Sequence, residues 1–100
     1  MVTLAYSEQL EDIAKELDFG SVKGLISGVM TTQILAHVSD FTSEVEGFEN
    51  KYGMDFNAAS REFAETAEDF QRYDDLMAWQ FAQEGKVYWL NRLKELSDVL

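Results

Sequence analysis

The sequence predicts a mainly α chain that opens on one short β-strand. Three observations carry that expectation. Proline is absent from the 100 residues, which removes the residue most disruptive to a helix interior. Apolar residues recur at steps of three and four over long stretches, as they do on one face of a helix. Only residues 1–6 depart from this, because Val2, Leu4 and Tyr6 alternate with Thr3 and Ala5, the period of a half-buried strand.

A single strand leaves a row of N–H and C=O groups unpaired, and no second strand pattern follows in the chain. The expectation is that it pairs with the same strand of a second chain. Ser7 then caps a first helix that ends near Leu17, with Leu10, Ile13, Ala14 and Leu17 as its apolar stripe. In the turn that follows, Gly20 suits a left-handed position and Ser21 caps the next helix. That helix is long, from about Val22 to Tyr52. Leu25, Ile26, Val29 and Met30 give its first half a broad apolar face. From Ile34 the apolar positions become a strict seam of Ile34, Val38, Phe41, Val45, Phe48 and Tyr52, the spacing of a coiled-coil-like contact.

Gly53 ends the long helix. Asp55 caps a short one with Phe56, Ala59, Phe63 and Ala67 on one side. A final long helix runs from about Asp69 to Val99 with Trp79, Ala82, Trp89, Leu93, Leu96 and Leu100 on one stripe. Each long helix spans about 45 Å. The two either fold back as an antiparallel pair or reach across to a partner. Gly20, Gly24, Gly28, Thr32 and Ala36 form a line of small residues. Such a line admits the close approach of another helix, or serves ordinary packing within the chain.

The order of strand, short helix, Gly-Ser turn and longer helix resembles the ribbon–helix–helix module of small repressors and antitoxins. The matching residues are 2–6, 7–17 and Phe19-Gly20-Ser21-Val22 leading into Leu25-Ile26. The resemblance implies a dimerisation module over residues 1–38, with Val2, Leu4, Tyr6, Leu25, Ile26 and Val29 in a core shared by two chains. In that family the ribbon reads DNA bases with Arg, Lys, Asn or Gln. Here the outward positions are Thr3 and Ala5, and Lys15 and Lys23 are the only bases of the region. Candidate DNA contacts are Thr3, Ser21 and Lys23, with a phosphate on the free N–H groups of Ser21 and Val22. Two lysines against six acidic residues over 1–40 make that binding weak.

Residues 39–100 form an acidic, aromatic-rich helical region. Phe48, the Lys51-Tyr52-Gly53-Met54 turn, Phe56, Phe63, the stretch from Tyr73 to Trp79 and the run from Leu90 to Leu96 resemble the tail of TumA-type antitoxins. The resemblance implies a toxin partner held by Phe56, Phe63, Tyr73, Asp74, Asp75, Trp79 and Trp89. Aromatic side chains supply large contact surfaces at interfaces, and equally well supply a hairpin's own core.

Nineteen acidic residues against eight basic ones give a net charge of −11. Such a field disfavours nucleic acid and favours a basic partner, while solubility alone is the plainer use of it. Glu65, Glu68, Asp69, Asp74 and Asp75 cluster at the start of the last helix. There they either steer a basic partner or favour the helix N-terminus. Cysteine is absent and His37 is the sole histidine. Disulfides, thiol catalysis and a two-histidine zinc site within one chain are thereby excluded. No phosphate loop or nucleophile elbow is present. The sequence thus reads as a non-enzymatic, cofactor-free, cytoplasmic homodimer without a membrane segment, and as antitoxin-like with a basic toxin partner. A ribbon–helix–helix repressor and a helical structural or adaptor protein are the alternatives.

Overall fold

The computed structural model describes residues 7–65 and 69–100. They form four helices: α1 (Glu8–Glu16), α2 (Val22–Tyr52), α3 (Phe56–Ala64) and α4 (Phe70–Val99). No strand occurs among the described residues. The mainly α chain with a pairing strand is therefore corrected to an all-α architecture over those residues. The strand residues Val2, Thr3, Leu4 and Tyr6 lie outside the described residues. The physical reason for the correction lies in the described residues: each of their elements is helical, so none of them offers a strand its ladder.

Each helix starts where a side chain can satisfy its first backbone donors. The hydroxyl of Ser7 accepts from the Leu10 amide at 3.2 Å, and that of Ser21 from the Gly24 amide at 2.9 Å. Asp55 accepts from the Ala58 amide at 2.8 Å, and Asp69 from the Arg72 amide at 3.1 Å. α2 ends on Gly53 in the left-handed conformation, φ 66°, with its amide donated to the Glu49 carbonyl at 2.7 Å. Glycine takes that conformation without the penalty a Cβ imposes. α2 runs unbroken across residues 38 and 39.

α2 and α4 are antiparallel and pack along most of their length, with α3 in the turn. The seam from Ile34 to Tyr52 faces α4, so the long helices fold back within one chain. His37 stacks on Trp89 with ring centroids 4.3 Å apart and 8° between planes, and Phe48 stacks on Trp79 at 5.6 Å. The particle is elongated, 65 × 27 × 17 Å. Its core lies at the α3 end, where Val45, Ala59, Phe63, Trp79 and Ala82 are buried together. Phe41, Phe48, Tyr52, Met54, Phe56 and Leu76 close over them. At the other end α1 caps the N-terminus of α2 and buries only Ala14.

Gly85 is a packing requirement of this hairpin. A Cβ at that position would lie 2.6–2.8 Å from three ring atoms of Phe41. Gly85→Ala adds about 1 kcal/mol of helix propensity, but overpacking of this kind costs about 1–3 kcal/mol. Net destabilisation is expected in urea melts. Phe41→Leu in the same chain should recover part of it, which a double-mutant cycle measures.

Candidate functional site

The partner-binding residues expected from the sequence divide between two faces. Trp79 and Phe63 are buried in the core. Phe56 is half-buried and meets Trp79 edge-on at 5.8 Å. Trp89 is half-buried against His37. These four aromatics close the hairpin on itself. Asp75 is also turned inward, only 9% exposed. Its carboxylate accepts from Lys51 Nζ at 2.6 Å, from Gln71 Nε2 at 3.0 Å and from the Tyr52 hydroxyl. Tyr73 and Asp74 alone of the expected set face solvent.

The network around Asp75 is electrostatically coherent. Hydrogen bonds from Lys51 and then Tyr52 hold the carboxyl below its ordinary 3.8. Burial, followed by the bond to Asp75, pushes the Tyr52 phenol up from 10.0. The hydrogen bond to Asp75 raises Lys51 as well. This cluster ties the C-terminal end of α2 to the N-terminal end of α4 and so fixes how α4 presents its other side.

That other side is a second apolar stripe. Phe70, Tyr73, Met77, Phe81 and Tyr88 are spaced by three, four, four and seven residues, which places them on one line of α4. All five are exposed, Phe70 by 81% and Phe81 by 65%. A shallow recess of about 400 Å³ lies beside Phe81, lined by Glu44, Gly47, Phe48, Lys51 and Ala78. Another, of about 390 Å³, lies beside Tyr88, lined by Gln83, Glu84, Val87 and Asn91. Asp69, Asp74 and Glu84 border the stripe, and all are exposed. Large apolar side chains in one line are a recognised mark of an interaction surface. The sequence contains this signal at the same spacing as the inward stripe, offset by about half a turn. Phe70, Met77, Phe81 and Tyr88 are not among the residues that the family resemblance singles out.

The residues expected to meet DNA find little support at α2. The Ser21 amide is donated to the Phe19 carbonyl at 2.9 Å, and the Val22 amide to Glu11 Oε1 at 3.4 Å. A carboxylate thus stands where a phosphate was expected. Lys23 is exposed beside it. Of the expected dimer core, Leu25 and Ile26 are half-buried and Val29 is exposed. Gly28 has open space at its Cβ position, so packing within the chain does not use that point of the small-residue line.

In the acidic cluster, Asp69 caps α4 and Asp75 is consumed by its network, whereas Glu65 and Asp74 are exposed. Glu68 lies outside the described residues. No group of three potential metal ligands occurs among the described residues, and no described helix is long and apolar enough to cross a membrane.

The site therefore belongs to an elongated helical hairpin with an inward face that makes the fold and an outward face that stays largely exposed among the described residues. Comparison with known proteins finds no matching family model, no matching curated protein and no matching solved structure.

Proposed function

We propose that this chain is an antitoxin-like interaction protein that holds a basic protein partner on the outward face of α4. The observation that carries the reading is the second stripe of α4, on a helix whose first stripe is already used to build the hairpin. The occupant that fits is an amphipathic helix with an apolar face and lysine or arginine on its flanks. Its apolar residues meet Phe70, Tyr73, Met77, Phe81 and Tyr88. Its cations meet Asp69, Asp74 and Glu84, and the −11 charge of the chain steers its approach. The hairpin is already folded, so little ordering is lost on association. Neutralisation follows if the bound segment is part of the toxin's working surface, or if binding distorts that surface.

The test is a charge placed in the stripe. Phe81→Asp should weaken partner binding at least tenfold, about 1.4 kcal/mol, in titration calorimetry against the co-purified partner. The thermal melt of the hairpin should change little, because Phe81 is 65% exposed and meets Phe41 only edge-on at 5.8 Å. Full retention of binding by Phe81→Asp and Tyr73→Ala would refute the assignment. Binding should also weaken as salt rises, since the flanking pairs are exposed.

A further inference from the structure

We infer that this chain pairs with a second copy of itself by placing α1 of each copy in a groove of the other. The groove lies between α2 and the last turns of α4, holds about 440 Å³, and is lined by Val29, Met30, Ile34, Trp89, Leu96 and Val99. Arg92 and Glu95, paired at 2.8 Å, stand at its rim. No residue of α1 lines the groove in its own chain.

α1 is the element that lacks a surface. It is nine residues long, and a helix that short is marginal in water on its own. Its apolar stripe of Leu10, Ile13 and Leu17 stands 45%, 51% and 60% exposed. Three apolar residues on one helix face and an apolar groove of helix width are complementary shapes.

Charge selects the second copy as the occupant. Residues 8–18 carry five carboxylates and one lysine, whereas residues 86–100 carry three bases and two acids. The acidic helix thus meets a stretch of net positive charge in a chain whose overall charge is −11. An arrangement with two-fold symmetry makes the contact twice. The exposed parts of Leu10, Ile13, Leu17, Phe19, Val29, Met30 and Val99 amount to an apolar area on the order of 600 Å² per chain. A stable interface buries ~800 Å² per partner, a little over half of it apolar, so the area suffices. This pairing needs no strand, and it does not depend on the partner proposed for the outward stripe of α4.

The chain has no cysteine, so single cysteines report contacts cleanly. Ile13→Cys and Val99→Cys chains are made separately, mixed and oxidised. A covalent heterodimer is expected, at least tenfold more than from Ile13→Cys mixed with Leu35→Cys, whose position is exposed but not part of the groove lining. Sedimentation equilibrium from ~5 to ~100 µM should show a dimer. Leu17→Glu should raise its dissociation constant at least tenfold, with the far-ultraviolet circular dichroism of the helices unchanged. Phe81→Asp should leave the dimer intact, which separates this inference from partner binding. A monomer throughout that range, or equal cross-linking through Leu35→Cys, would overturn the proposal.

Discussion

Trp79→Ala is expected to lower the unfolding free energy by about 3–5 kcal/mol, the range for removing a large aromatic side chain from a core. Trp79 is the largest fully buried side chain, and Phe48, Tyr52 and Phe56 pack on it with centroids 5.6, 6.1 and 5.8 Å away. It joins α2, α3 and α4, so its removal loosens all three at once. At ~4–8 °C per kcal/mol for a chain of this size, the melting temperature should fall by at least ~12 °C. Trp79→Phe is the informative control. The indole N–H is buried with no hydrogen-bond partner among the described residues, so its loss offsets part of the lost packing. The phenylalanine variant should therefore retain much more stability than alanine. Circular dichroism melts of the three chains check this, and equal losses for both variants would contradict it.

Asp75→Ala is expected to cost about 2–3 kcal/mol, because a nearly buried carboxylate that accepts three side-chain hydrogen bonds is removed and the Tyr52 hydroxyl is left without its acceptor. The ion pair with Lys51 adds little, since that side chain is 52% exposed and solvent screens it. The same network sets a pH dependence. Asp75 is held below 3.8 in the folded chain, so the unfolded chain takes up its proton first. The stability it contributes is complete above 3.8 and is lost as pH falls through the depressed folded value. Tyr52 is shifted up from 10.0. Its contribution is complete below 10.0 and is lost as pH rises through the raised folded value. Urea midpoints measured against pH should show both edges in the natural chain. In Asp75→Asn the acid edge should flatten. An unchanged acid limb would remove Asp75 from its role as the tie between α2 and α4.

The parts of this fold that were legible in the sequence are those written locally. Ser7, Ser21, Asp55 and Asp69 each sit three residues before the amide they accept, and Gly53 stops α2 where a left-handed residue is needed. Helix limits follow from such signals without any tertiary information. The seam from Ile34 to Tyr52 likewise marked which side of α2 would be covered. The alternation of Val2, Leu4 and Tyr6 was a weaker signal, because a strand depends on a partner that no local pattern supplies.

The candidate site was less legible because its assignment depends on which partner each aromatic finds. Phe63 and Trp79 have the residue types of an interface, and α2 and α3 consume them. Asp75 follows Asp74 in sequence, yet one is buried beside Lys51 and Tyr52, more than 20 residues away, and the other faces solvent. Nothing in a run of two aspartates distinguishes them. Phe70, Met77, Phe81 and Tyr88 were visible as a periodic set. Their importance emerges only once the opposite stripe is known to be occupied. Glu11 carries the same lesson at α2, where a residue ten positions before Ser21 fills the place expected for a phosphate.

The most direct measurement is a purification of the natural chain and of a Phe81→Asp, Met77→Ala chain from cells at native expression, with co-purifying proteins identified and their ratio to the chain determined. The natural chain should retain one basic protein at a fixed ratio, and the stripe variant should lose it while keeping the same helical melt. A partner retained equally by both chains, or a retained partner that is itself acidic, would contradict the proposal that the outward face of α4 is where this protein acts.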